Sequence, residues 1–144
     1  MQPDIFGNLN RENEVLAKLQ DFAAENRLDE YQVGMARILR FKQNHRLLDA
    51  TLEFARRIER ASDILIAEVL NVLVAQDLPV SIRASAAAAL GYLISRRPAE
   101  AASDFDLDIV IDSMAHVLGR TESRILKKAL FQAIGLARTR NGHR

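Results

Sequence analysis

Residues 80–93 read V-S-I-R-A-S-A-A-A-A-L-G-Y-L, and this stretch decides the fold. Pro79 stands just before it, where a helix can begin without losing a hydrogen bond. The apolar residues that recur at the spacing of one helical face are Ile82, Ala86, Ala89, Leu90 and Leu93. Most of the remaining helix surface is alanine, so neighbouring helices can approach the backbone closely. We therefore expect this segment to be the middle helix of a stack.

The composition is typical of one soluble domain. The 144 residues are 49% hydrophobic and 27% charged, and 20 basic against 19 acidic side chains leave a net charge of +1. This length fits a single domain over residues 1–144, and a near-neutral chain has no global field to recruit nucleic acid. The chain has no cysteine, so it has no disulfide framework.

The sequence shows no targeting or membrane segment. The N-terminal residues lack a basic region followed by an apolar run, as a secretory signal requires. The most apolar stretch, residues 64–75, is shorter than the about 20 residues that span a bilayer. We expect a soluble, cytoplasmic protein without a membrane partner.

Capping residues and apolar periodicity predict seven helices and no strand. A leading helix covers residues 10–26, and three helical hairpins follow at 29–60, 62–96 and 104–139. The predicted boundary residues are Asn10, Asp29 with Gln32 at capping-box spacing, Asn44, Ser62, Ser103, Gly119 with positive φ, and Thr121. The predicted fold is all-α, with short loops that make successive helices antiparallel neighbours.

The fourth and fifth helices recur as the sixth and seventh. Residues 63–73, D-I-L-I-A-E-V-L-N-V-L, match residues 108–118, D-I-V-I-D-S-M-A-H-V-L, at an offset of 45. Residues 89–91, A-L-G, fall on residues 133–135, A-I-G, at an offset of 44. The second and third helices fit the same pattern at an offset near 35. A hairpin cannot bury its apolar face alone, so stacked repeats supply the core.

Residues 77–93, D-L-P-V-S-I-R-A-S-A-A-A-A-L-G-Y-L, resemble the second half of a HEAT repeat. That pattern has an acid in the turn, a proline, an apolar–arginine pair and an alanine-rich helix ending in Leu-Gly. Asp77 and Arg83 stand at the acid and base positions, which pair in a ladder in related repeats. Lys127 keeps the base in the last unit, where Thr121 replaces the acid.

The resemblance covers residues 29–138. It implies a right-handed α-α superhelix of about seven helices that acts as a scaffold or adaptor. It also implies that the second helix of each hairpin lines the concave surface. In this chain those are the third, fifth and seventh helices.

Catalytic and metal-binding patterns are weak. The stretch D-F-D-L-D at residues 104–108 lacks the glycine and distal glutamate of a calcium loop, and its acids suit the start of a helix. His45, His116 and His143 have no histidine or cysteine partner one helical turn away. The sequence contains no G-x-S-x-G turn. We predict a protein that is not an enzyme and has no catalytic, metal or cofactor site.

Basic residues cluster more than the net charge suggests. Residues 120–144 hold seven basic residues and one acid, whereas residues 100–112 hold five acids and no base. This pattern can bind an acidic partner or phosphates, although cations near helix ends are also ordinary on a solvated face. The predicted partner surface consists of Arg83, Arg124, Lys127, Lys128, Arg56 and Arg60.

Three interpretations of function follow. The first is a HEAT-like scaffold or adaptor that mediates protein–protein interaction, which the repeat and the near-neutral charge favour. The alternative is a nucleic-acid-binding HEAT-like protein that uses its basic C-terminal repeat. It comes second because the chain has no tryptophan and most aromatic residues fall on apolar stripes. The third is a homo-oligomer, since an end helix without a polar face needs a partner.

Overall fold

The structure is a computed structural model and describes residues 5–97 and 107–141, with only the backbone described at 140 and 141. Over these ranges the chain is helical and has no strand, so the all-α prediction is confirmed. The α-helices are α1 (Glu12–Ala24), α2 (Gln32–Arg40), α3 (His45–Ala55), α4 (Asp63–Val74), α5 (Val80–Arg96), α6 (Leu107–Arg120) and α7 (Arg124–Asn141), and a short 3-10 helix (Leu28–Tyr31) directly precedes α2.

Alternate helices lie side by side. Helices α1, α3, α5 and α7 contact one another in that order, α2 contacts α4, and the successive pairs that pack against each other are α2 with α3, α4 with α5 and α6 with α7. Ser85 Oγ donates to Asp49 Oδ1 at 3.0 Å, and the Arg56 guanidinium carbon lies 4.9 Å from the Tyr92 ring centroid. Both contacts join residues 36 positions apart. Helices α3 and α5 therefore run parallel.

Helix α5 is the central member of its row. A Cβ built on Gly91 would lie 2.8 Å from Ala133 Cα and 3.0 Å from Ala133 Cβ. The backbones of α5 and α7 are thus in direct contact at this point, and only glycine leaves the space. The expected close approach to an alanine-rich middle helix is confirmed.

Two arginines tie α5 to α4. Arg83 Nε donates to the Leu73 carbonyl at 2.7 Å, in the last turn of α4. Arg97, just beyond α5, pairs with Asp63 in the first turn of α4. The Asp77–Arg83 ladder pair implied by the HEAT resemblance is not formed, because Arg83 Nε is bonded to this carbonyl and Asp77 is exposed.

Asp29 and Gln32 bind the loop between α3 and α4. The Asp29 carboxylate accepts the backbone N–H groups of Glu59 and Arg60 at 3.1 and 2.8 Å. Gln32 Nε2 donates to the Arg60 carbonyl at 2.9 Å, and its Oε1 accepts the Ser62 N–H at 2.7 Å. The predicted capping box is wrong, because α2 begins only at Gln32 and distant loop donors occupy both side chains.

Side-chain caps begin three of the helices. Asn44, Ser62 and Ser123 each accept the backbone N–H three residues further on, at 3.0, 3.2 and 3.2 Å. The prediction for Ser62 is confirmed. The predicted cap at Thr121 is wrong, because its hydroxyl accepts the Ser123 N–H at 3.2 Å in the preceding turn.

Two further predicted boundaries are wrong. Asn10 does not cap α1, because its N–H donates to Asn8 Oδ1 at 2.9 Å and Arg11 is the residue before the helix. Gly119 lies inside α6 without positive φ, and the helix continues by one more residue. The predicted cap at Ser103 and most of the 104–108 stretch lie outside the described residues.

Three aromatic rings pack together around α1. The ring of Phe6 meets Phe22 edge-on at 5.9 Å between centroids, and Phe22 stacks on Tyr31 at 3.8 Å. Lys18 Nζ donates to the Ile5 carbonyl at 2.8 Å. The segment before α1 is thereby folded onto α1 and joins the same buried apolar cluster as the helices.

Candidate functional site

An open groove of about 840 Å³ lies between α6 and the end of α4. Val74 and Ile109 line it from α4 and α6, and they remain 43% and 61% exposed although both are large apolar side chains. The other residues that line the groove are Gln76, Arg83, Asp112, Ser113, His116, Val117, Arg120 and Thr121. The groove therefore offers uncovered apolar surface inside a concave, mostly polar rim.

The polar rim carries both signs of charge. Asp112, His116 and Arg120 occupy successive turns of α6 and are exposed. Within the described ranges none of these three side chains bonds to another group of the chain. Arg83 is half-buried beside them, where its bond to the Leu73 carbonyl holds it. The rim can donate to and accept from a bound segment.

A second feature is a cluster of arginines around Tyr92. The guanidinium carbons of Arg56 and Arg96 lie 4.9 and 5.2 Å from the ring centroid. Together with Glu53 and Arg57 they line a shallow cavity of about 350 Å³. Arg56 pairs with Glu53 at 3.5 Å, and Arg96 donates to the Arg56 carbonyl. Arg56 and Arg96 are therefore already engaged in contacts at the end of α3, where the free carbonyl groups of the helix favour cations.

The outer face of α7 points away from α5. Its members, all exposed, are Arg124, Ile125, Lys127, Lys128, Phe131, Gln132, Gly135, Leu136, Arg138 and Thr139. Phe131 is 74% exposed, whereas the preceding residue, Leu130, is fully buried. Among the described side chains, no acid pairs with the four cations of this face. It combines positive charge with large apolar groups.

The predicted partner surface is divided among three parts of the fold. Arg83 borders the groove, Arg56 belongs to the cluster around Tyr92, and Arg60 is exposed in the loop after α3. The members that share the outer face of α7 are Arg124, Lys127 and Lys128. The structure thus brings together only these last three.

Sequence reasoning missed Phe131 and Ile109 as site residues. Phe131 follows Leu130 directly and so falls off the buried stripe of α7, which was a readable signal. Ile109 directly precedes buried Val110 and likewise falls off the buried stripe of α6, but this signal does not indicate whether another helix covers it.

Comparison with protein-family models, with curated proteins and with solved structures gives no match for this chain. Across residues 5–97 and 107–141, no helix has both the length and the apolar character to cross a bilayer. In the same ranges, no three histidine, cysteine or acidic side chains are placed to hold a metal ion.

Proposed function

We propose that this chain is a small HEAT-like scaffold or adaptor module that holds a segment of a protein partner in the groove beside α6. The observation that carries the proposal is the exposed pair Val74 and Ile109. A partner side chain inserted between them removes apolar surface from water on both sides. The rim residues Asp112, His116 and Arg120 supply polar contacts that orient the segment.

The spacing of contacts supports the HEAT-like part of the proposal. In a stack of repeats, neighbouring residues on equivalent helices are separated by about one repeat length. The contacts between α3 and α5 join residues 36 apart, close to the offset near 35 in the sequence. The contact of Gly91 with Ala133 joins residues 42 apart, close to the offset of 44. We include a right-handed superhelix of the seven helices in the proposal.

The proposed role is binding without catalysis. Ser113 and His116 both line the groove, but the Ser113 hydroxyl donates to the Ile109 carbonyl at 2.9 Å. This bond directs the hydroxyl proton to the backbone and not to the imidazole, so the two side chains do not form a nucleophile and base. The cysteine-free composition agrees with a reducing compartment, and we include a cytoplasmic location in the proposal.

The groove is tested with a random peptide library displayed on phage and selected on the immobilised full chain. We expect selected peptides to bind the wild type and to lose at least about tenfold in affinity on Ile109→Asp, because burying one aliphatic side chain is worth about 1.5–3 kcal/mol. Binding should persist in about 0.5 M NaCl, since apolar contacts are not screened.

Val33→Asp is the matched control. Val33 is 68% exposed on α2 and does not line the groove, so the same chemical change there should leave peptide binding unaltered. Peptides that tolerate Ile109→Asp, or that lose equal affinity with both variants, would contradict the groove as the binding site.

Exposed Phe131 favours a second candidate function, the binding of single-stranded nucleic acid. The ring stands beside Lys127 and Lys128 on the outer face of α7. An aromatic ring among cations can stack on a base while the cations contact phosphates, and such stacking contributes about 1–3 kcal/mol per base. Lys127→Glu/Lys128→Glu should then abolish a gel shift that weakens steeply with salt. An absent wild-type shift, or an unchanged shift in the variant, excludes this function.

A further inference from the structure

The row formed by α1, α3, α5 and α7 has two ends. Helix α5 lies between α3 and α7, so its two sides are covered. Helices α1 and α7 each leave one side exposed to solvent in the described part of the chain. An end face of a helical stack must be polar or must be covered by another element.

The α7 end does not have the character of a polar cap. Ile125, Phe131 and Leu136 are 65%, 74% and 37% exposed on its outer face. Residues 124–141 contain no acid, so the cations of this face have no acidic neighbour on their own helix. A partner complementary to this face must therefore be acidic and must cover apolar side chains.

Gly135 lies at the middle of the same face. A Cβ built on it would meet no atom within 4 Å, so the space above the backbone is open. The sequence repeat places Gly135 at the position of Gly91, where Ala133 of α7 packs directly on the backbone of α5. Gly135 thus marks the place where a further helix with a small residue can continue the row.

Helix α1 offers the matching surface at the opposite end. The outer face of α1 consists of Asn13, Glu14, Ala17, Gln20, Asp21, Ala24 and Glu25, all exposed. Ala17 and Ala24 lie two turns apart and leave the centre of this face flat. Residues 12–25 contain four acids and one base.

Glu12 lies off this face and pairs with Arg46 at 3.1 Å. Two of the three acids on the face have partners that leave them available to another chain. Glu14 pairs with Arg11 at 3.5 Å, and Glu25 pairs with Arg27 at 3.3 Å. Both pairs are largely solvent-exposed, so each contributes little and is easily replaced. Within the described residues, the Asp21 carboxylate has no such cation.

We propose that a second copy of this chain docks the outer face of its α1 on the outer face of α7, so that copies associate head to tail. Ala17 and Ala24 then lie over Gly135 and the apolar groups of α7, and the acids of α1 meet the cations of α7. The two faces differ, so every added copy leaves one of each free and the association can continue beyond a dimer. Salt weakens the contact, because it screens the attraction between the exposed acids of α1 and the exposed cations of α7.

The association is tested by sedimentation velocity of the full chain over a concentration series at low salt. We expect the weight-average mass to rise with concentration and the rise to diminish in about 0.5 M NaCl. Phe131→Glu blocks the α7 face and Ala17→Arg blocks the α1 face, and both substitutions keep good helix formers. Each variant alone should remain monomeric at every concentration.

Mixing the two variants is the decisive step. The α7 face of Ala17→Arg and the α1 face of Phe131→Glu are both intact, so the mixture should form a one-to-one dimer and nothing larger. Lys128→Glu repeats the α7 block if Phe131→Glu does not fold. Val33→Glu changes an exposed apolar residue of α2 outside both faces, and it should associate like the wild type.

Three results overturn the proposal. The first is a wild type that stays monomeric throughout the series, and the second is a mixture that forms no dimer. The third is an Ala17→Arg variant that dimerises alone, which indicates an α7-to-α7 contact. If Phe131→Glu loses nucleic-acid binding and the wild type does not self-associate, the α7 face is a nucleic-acid site and not an interface between copies. Ile109→Asp should leave the association unchanged, which separates it from the groove.

Discussion

Replacing Gly91 by alanine tests the direct contact between α5 and α7. The added Cβ would lie 2.8 Å from Ala133 Cα, where ordinary van der Waals contact begins at 3.4 Å. A backbone atom cannot rotate away as a side chain does. The substitution must therefore push the two helices apart along their interface, where both bury apolar side chains.

Two effects of the substitution oppose each other. Alanine favours the helix over glycine by about 1 kcal/mol, and overpacking a well-packed core costs about 1–3 kcal/mol. The overpacking term is the larger because the neighbour is backbone. We expect Gly91→Ala to lower the free energy of unfolding by up to about 2 kcal/mol, which shifts Tm down by several degrees in a chain of this size.

Gly135→Ala is the matched control, since it makes the same change in a helix where nothing lies within 4 Å. It should stabilise the protein by about 0.5–1 kcal/mol. The difference between the two variants then measures overpacking without the propensity term. Urea unfolding followed by far-UV circular dichroism, at low protein concentration so that association does not contribute, gives both values. Equal stabilities would refute the close approach of α5 to α7.

Other substitutions test local features of the same fold. Gly119→Ala should raise the free energy of unfolding by about 0.5–1 kcal/mol, because Gly119 is helical and open, whereas a positive φ would reverse the sign. Asn44→Ala should lower it by about 1–2 kcal/mol in urea unfolding, through loss of the α3 cap and of the 2.7 Å bond to Glu12. Hydrogen bonds from Arg27 hold the pKa of Glu30 below its ordinary value, so this pair stabilises the fold above the ordinary glutamate pKa and loses that contribution as pH falls through the lowered one. Arg27→Gln should return the Glu30 pKa towards the ordinary range in an NMR titration, and an unchanged pKa would contradict the pairing.

Features that depend on neighbouring residues could be predicted, and features that depend on distant ones could not. Ser62 was identified correctly because the capping oxygen and the N–H group that donates to it lie only three residues apart. Asp29 was misread because its carboxylate binds N–H groups 30 and 31 residues away. Gly119 was misread because a glycine near a helix end is compatible with both an ending and a continuing helix.

The candidate sites also contain some features that the sequence predicts and others that it does not. The cations of α7 were recognised from their density along the sequence, and the structure places Arg124, Lys127 and Lys128 on one face. The groove was not predicted, because apolar periodicity marks Val74 and Ile109 without indicating whether another helix covers them. Their exposure depends on the distance between α6 and the end of α4, which no local pattern encodes.

Residues 80–93 illustrate which features a segment determines by itself and which depend on packing. Their periodicity and composition were enough to specify a helix with little bulk, because helical spacing and side-chain volume are properties of the segment itself. Which neighbour uses the space at Gly91, and why Arg83 bonds to a carbonyl and not to Asp77, was decided by packing. The repeat-related Gly135 remains open for the same reason, since it lies on the last helix of the row and no further helix of the described chain reaches it.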